Sequence, residues 1–174
     1  KRKAHGGTTV PPDMETTLSF ALTGAACVAA AIVDMRSRRI PNRIVFPAMA
    51  VLLAVHGVFS GLSGLGDAAL GLTGCFVVFL IPHLFRVLGA GDVKLMAMAG
   101  AGLGSQAVVT LVLFTSVAGG VQFLAWMAWA RLFGPGGLPG YRLCYGPAIA
   151  LGALAAMALR LAGQPYLELT WPGL

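Results

Sequence analysis

Asp34 and Asp92 are set apart from the other acidic residues by where they fall. Six acids occur in 174 residues. Asp13, Glu15 and Glu168 lie outside the apolar stretches and read as solvated, while Asp67 follows Gly-Leu-Gly, precedes an apolar run and reads as a helix N-cap. Asp34 closes an apolar run just before Arg36-Ser-Arg-Arg-Ile-Pro-Asn42, and Asp92 opens another just after Gly89-Ala-Gly91. An ionisable group in a membrane-spanning helix is costly and by default functional. Two carboxylates at one depth can share a proton, leaving one as general base and the other as general acid. Such a pair can activate water against a peptide carbonyl with neither metal nor cofactor, which is aspartic proteolysis.

Position alone fits a second arrangement equally well, in which Asp34 pairs with a neighbouring arginine and Asp92 caps its own helix. Gly89 and Gly91 favour the acid pair, because glycines beside an acid admit a closely approaching backbone, such as an extended substrate strand. No strand-to-helix pattern follows them, so this is not a dinucleotide fingerprint. Lys94 reads as an anchor snorkelling to the interface, with charge compensation of a carboxylate as the alternative. Pro41 and Asn42 read as shaping the turn after Asp34, and His83 as a packed residue. Cys27, Cys75 and Cys144 stand singly and read as buried thiols, with no disulfide or metal framework. Trp126, Trp129 and Trp171 read as interfacial anchors.

The elements that must position the acids follow from composition. With 57% hydrophobic and 10% charged residues, against about 25% charged in ordinary soluble domains, the chain is not a water-soluble globule, and it is too apolar to be disordered. Its 24 glycines follow no collagen period and suit closely packed transmembrane helices. Residues 16–33, 44–66, 68–85, 95–130 and 143–159 carry no Asp, Glu, Lys or Arg. A span needs about 20 residues. The fourth run, at 36 residues, would be about 54 Å long as one helix, so it must fold back at Gly102-Leu-Gly-Ser105. The expectation is an all-α polytopic membrane protein with six transmembrane helices, the fourth a short one from Asp92 to Leu103.

Residues 1–15 read as a flexible leader and 16–174 as a single integral-membrane domain, with a cytoplasmic turn over 134–142. The net charge of +6 resides in the breaks between spans and marks topology, not nucleic-acid binding. One set of loops holds Arg36, Arg38, Arg39, Arg43, Arg86, Lys94, Arg131 and Arg142; the other side holds Lys1, Arg2, Lys3 and Arg160. The excess puts the first set, with both acids, in the cytoplasm and both termini outside. Lys1-Arg2-Lys3 opposes this, but lies well ahead of the first span in a chain with no initiating Met and is set aside as a processed or appended end.

Asp34-Met-Arg-Ser-Arg-Arg-Ile-Pro-Asn42 and Gly89-Ala-Gly-Asp-Val-Lys94 resemble the two catalytic segments of the type IV prepilin peptidases, GxGD-class intramembrane aspartyl proteases. Asp67-Ala-Ala-Leu-Gly71 and Tyr145-Gly-Pro-Ala-Ile-Ala-Leu-Gly152 are further matches, so that the resemblance runs through nearly all of the chain after Thr16. It implies catalytic Asp34 and Asp92, supporting roles for Gly89, Gly91, Lys94, Pro41 and Asn42, no cofactor, and a bacterial cytoplasmic-membrane location. The implied reaction removes a short basic leader from a prepilin at the cytoplasmic face. Larger members carry paired CxxC motifs and also methylate the new N-terminus; this chain looks like the short, peptidase-only form of Tad/Flp-type systems, which implies no methyltransferase activity. The resemblance leaves the oligomeric state open. A preflagellin-type or other GxGD protease is the nearest alternative, and a small proton- or cation-coupled transporter a more distant one, because its acids would lie near the midplane between repeats.

Overall fold

Pro41 and the breaks at Gly61, Gly89 and Gly104 separate helices among the described residues. In the computed structural model, which describes residues 14–133 and 144–167, α1 spans Met14–Ser37, α2 Asn42–Leu84, α3 Ala90–Leu103, α4 Val108–Phe133 and α5 Gly146–Leu161, with a 3-10 turn at Ser105–Ala107 before α4. There is no strand among the described residues. α1 ends where Arg38 takes a left-handed conformation (φ 53°) and returns its N–H to the Asp34 carbonyl at 2.7 Å. Ile40, preceding a proline, is steered away from helical backbone, and Pro41 then forms the N-cap of α2.

At 43 residues α2 is far too long for one crossing, and it contains a break at Gly61, whose φ of 65° and ψ of −150° are not helical. Glycine tolerates that left-handed φ where a side chain would not. The two arms run in opposite directions. Along the first, Asn42 meets Lys94 and Leu52 lies against Gly102, so it runs parallel to α3. Along the second, Asp67 meets Ser105 and Gly71 abuts Gly100, so it runs antiparallel. The sequence placed this break at Gly66-Asp67. The chain reverses earlier, and Asp67 lies inside a helix instead of capping it.

α3 is the axis of the bundle. It is apolar on all sides, and every residue from Leu95 to Leu103 is buried, as expected of a helix without a polar face. Small residues allow the approach: Gly71 and Gly100 are so close that a β-carbon on either would run into the other's carbonyl, and one on Gly102 would run into Thr23. α3 begins two residues before the expected Asp92 and ends at Gly104 (φ 82°), within the expected break. α4 then returns antiparallel to α5, with Thr115 against Gly152 and Gln122 against Cys144.

Outside this core the helices present apolar surface, including Val58, Leu62, Leu70, Val117 and Trp129. α1, α2 and the stretch Ser105–Leu132 are long and apolar enough to cross a membrane, and α5 is a shorter apolar helix. Met14 and Glu15, expected in the leader, belong to α1. Glu15 is not simply solvated, since it accepts from His56 Nδ1 at 2.8 Å and from Ser60 Oγ, joining α1 to α2 just before the Gly61 break. Residues 1–13, the turn at 134–142, Glu168 and Trp171 lie outside the described residues.

Candidate active site

The alternation of helices brings the end of α1, the start of α2, the start of α3 and the start of α5 to one end of the bundle. Asp34 lies in the last turns of α1 and Asp92 in the first turn of α3; they are only 5% and 9% exposed. Both line one cleft of about 320 Å³, together with Arg38, Arg39, Ile40, Asn42, Gly89, Ala90, Gly91 and Lys94. Residues 58 positions apart in sequence thus share a single cleft with a basic rim.

A buried carboxylate needs hydrogen-bond partners, because an unsatisfied buried polar group costs about 1–3 kcal/mol and a charged one more. Each acid obtains one from a backbone amide. Asp92 Oδ2 accepts from the Gly89 N–H at 2.9 Å, from the third helical position back to the N-cap. Asp34 Oδ2 accepts from the Gly146 N–H, at the start of α5, at 3.0 Å. Both donors belong to helix N-termini, whose partial positive charge favours a carboxylate. For Asp34 this offsets its unfavourable place near the C-terminus of α1.

Each expected site residue has a definite position. The capping role considered for Asp92 is present, and it coexists with the cleft. Gly91 lines the cleft, and a β-carbon there would come 3.0 Å from Ile40 Cβ, so it accommodates the chain's own segment crossing from α1 to α2. A β-carbon on Gly89 would lie 3.2 Å from Asp92 Oδ2. Lys94 Nζ donates to Asn42 Oδ1 at 3.2 Å and sits 5.3 Å from the centre of the Phe46 ring, tying α3 to the first turn of α2. Asn42 therefore does more than shape the turn. Pro41 stays out of the cleft lining and supplies its carbonyl to the Ile44 N–H at 3.1 Å. His83 is packed as expected, with Nδ1 2.9 Å from the Leu88 carbonyl.

Two residues near the acids were not singled out from sequence as parts of a site. Gly146 touches Asp34 directly, and the only signal for it was the Tyr145-Gly-Pro match. Cys144, expected to be buried, is partly exposed, and its Sγ donates to the Asp34 carbonyl at 3.6 Å. Its thiol is pushed up from the ordinary range by burial, then by the charge of Asp34, with Arg38 acting in the opposite sense and Asp92 adding to the rise. Asp67, at the far end of the bundle, accepts from the Ser105 N–H at 3.3 Å and from the Ser105 hydroxyl, capping the 3-10 turn after α3 instead of its own helix.

All-helical packing, apolar outer faces and a cleft enclosing two buried carboxylates define a helical membrane protein with a paired-acid cleft. Residues 21–124 match the type IV leader peptidase family, and the chain belongs to that family. It is similar to the prepilin leader peptidase/N-methyltransferase of Burkholderia pseudomallei strain K96243, 31% identical over 153 residues that make up 82% of this chain and 45% of the relative. The protein of the same name from Dickeya chrysanthemi is 31% identical over 145 residues, 78% of this chain and 48% of the relative. That of Aeromonas hydrophila is 30% identical over 118 residues, 64% and 40%. The chain spans about half the length of the curated relatives it matches, or somewhat less. No solved structure matches it.

Proposed function

We propose that the chain is an aspartic endopeptidase that removes the short basic leader of a type IV, Flp-like prepilin at the cytoplasmic face of the bacterial inner membrane. The observation that carries this is the placement of two buried carboxylates, Asp34 and Asp92, in the lining of one cleft at one end of the bundle. Family membership supports prepilin as the substrate class. In the proposed reaction one ionised aspartate takes a proton from water, and the hydroxide adds to the scissile carbonyl. The protonated partner stabilises the tetrahedral oxygen, and the leaving amine receives a proton as the peptide bond breaks. The substrate's apolar helix docks laterally against the bundle, with its leader junction in the cleft.

Six crossings account for the alternation of α1, the two arms of α2, α3, α4 and α5. α3, with 14 residues, is about 21 Å long, less than the roughly 30 Å hydrocarbon layer, which leaves Asp92 below the membrane surface. Arg36, Arg38, Arg39, Arg43, Arg86 and Arg131 gather toward the cleft end, which supports a cytoplasmic orientation for that end. The proposed activity of this chain is leader cleavage without methyl transfer.

Coexpression with a Flp-type prepilin, followed by mass, tests the activity: the parent chain removes the leader and leaves an unmethylated N-terminus. Asp34→Asn and Asp92→Asn each abolish cleavage while accumulating in the membrane to the parent level. Normal cleavage by either variant would sink the dyad. For the topology, cysteines introduced at Ser37 and Ser63 label from opposite sides of the membrane, and labelling from one side would overturn the span count.

A further inference from the structure

We infer that Gly146 is a positioning residue for Asp34, and that the first turn of α5 is a clamp that sets where this carboxylate points. The inference rests on the reading of Asp34 and Asp92 as the catalytic pair, and goes beyond it by giving a role to a segment that shares no helix with either acid. Gly146 is buried, and its N–H holds Asp34 Oδ2 at 3.0 Å. There is no room for a side chain: a β-carbon would lie 2.8 Å from Asp34 Oδ2, 3.0 Å from its Cβ and 3.2 Å from its Cγ. Contact with Asp34 Cβ matters most, because rotating the carboxylate away does not relieve it.

The clamp is itself fixed from several sides. Gln122 Nε2 on α4 donates to the Cys144 carbonyl at 2.6 Å. The Tyr145 hydroxyl donates to the Thr115 carbonyl at 3.4 Å, and its ring lies 6.4 Å from that of Phe79 on the second arm of α2. The Cys144 thiol reaches back to the Asp34 carbonyl, so both the backbone and the side chain of Asp34 are held by consecutive parts of one segment. Pro147 lies in the first turn of α5 and restrains its backbone. Asp92 has the matching arrangement within its own helix, where the Gly89 amide holds Oδ2. One acid is oriented locally and the other across the bundle, so the geometry of the pair depends on how α5 seats against α1.

The test is steady-state cleavage of a purified Flp-type prepilin by the full chain in lipid nanodiscs, comparing the parent with Gly146→Ala, Gln122→Ala, Gly120→Ala and Asp34→Asn. A β-carbon at Gly120 meets nothing within 4 Å, so that variant keeps parent kinetics. Gly146→Ala lowers kcat by roughly 10- to 100-fold, the scale expected for misplacing a reacting group by a fraction of an ångström to 1 Å. Its KM stays within about twofold of the parent, because the prepilin helix binds elsewhere, whereas partial unfolding would scale activity with the folded fraction. Gln122→Ala adds no atom near Asp34 and lowers kcat in the same sense by a smaller factor; it decides the matter if Gly146→Ala does not fold. Parent kcat in folded Gly146→Ala, or in Gln122→Ala if Gly146→Ala is unfolded, would overturn the clamp. If Asp34→Asn is inactive while those variants cleave normally, only the clamp fails; if Asp34→Asn cleaves normally, the dyad itself fails.

Discussion

Replacing Gly71 by alanine tests whether backbone-to-backbone contact seats the helix that carries Asp92. A β-carbon at Gly71 would lie 2.7 Å from the Gly104 carbonyl carbon and 2.8 Å from its oxygen, and would run into the Gly100 carbonyl. These are backbone atoms and cannot swing aside, while non-bonded heavy atoms settle at about 3.5–4.0 Å. The second arm of α2 and α3 must therefore part by roughly 1 Å, and such overpacking costs about 1–3 kcal/mol. Alanine recovers about 1 kcal/mol of helix propensity, leaving a net loss of up to about 2 kcal/mol. Gly66→Ala, in the same arm, meets nothing within 4 Å and keeps the propensity gain alone. Thermal unfolding of the parent and both variants in one detergent reads the difference. At about 2–4 °C per kcal/mol for a chain of this size, Gly71→Ala melts several degrees below the parent and Gly66→Ala slightly above it. Since α3 carries Asp92, cleavage by Gly71→Ala falls by more than its loss of folded protein. A Gly71→Ala variant melting at or above the parent would refute the close seating of α3.

Asp67→Ala releases the Ser105 N–H and hydroxyl and lowers stability by about 1 kcal/mol, whereas Asp67→Asn, which keeps an acceptor oxygen, retains most of it; equal melting of the two variants would contradict the capping role. Arg86 ends α2 with φ 58°, its N–H bonded to the His83 carbonyl at 2.9 Å while the Val87 N–H reaches Pro82 at 3.0 Å. A side chain in that left-handed conformation costs about 1–2 kcal/mol, so Arg86→Gly melts higher, and a lower melting temperature would show that the arginine contributes more than the strain removes. Cys144 is held above its ordinary thiol range by burial and then by the charge of Asp34. Asp34→Asn removes that charge, lowers the thiol pKa, increases the thiolate fraction at pH 8 and speeds alkylation of Cys144, with Cys27 and Cys75 remaining enclosed. Unchanged or slower alkylation would separate the thiol electrostatically from Asp34.

What could be read from sequence was whatever a short stretch determines alone. Charge-free runs marked the helices, Gly102-Leu-Gly-Ser105 marked the fold-back, and scarcity of acids isolated Asp34 and Asp92. The misplaced break in α2 has a physical reason: Gly61, Gly64 and Gly66 all lie in one Ser-Gly-Leu repeat-like stretch. The choice among them depends on contacts across the bundle, including Glu15 with His56 and Ser60 on one side of the break and Asp67 with Ser105 on the other. Asp67 carried a valid local N-cap signal, but its partner is 38 residues away. Gly146, although part of the Tyr145-Gly-Pro match, could not be joined to Asp34 for the same reason, being 112 residues away.

The glycines and the acids are parts of one physical solution. Each of the two acids draws a hydrogen bond from a backbone amide in the first turn or cap of a helix, where such groups lack a partner within the helix. Reaching one requires a helix N-terminus to approach the acid directly, and a β-carbon on the donor residue stands in the way, as the spacing at Gly146 and Gly89 makes plain. Farther along the bundle, Gly71, Gly100, Gly102 and Gly152 remove the same obstacle between helices, allowing α3 and α5 to lie deep enough for their first turns to meet the cleft. Glycine abundance in this chain is therefore a condition for holding Asp34 and Asp92 in place, and substitutions that thicken these contacts should act on the acid pair from a distance.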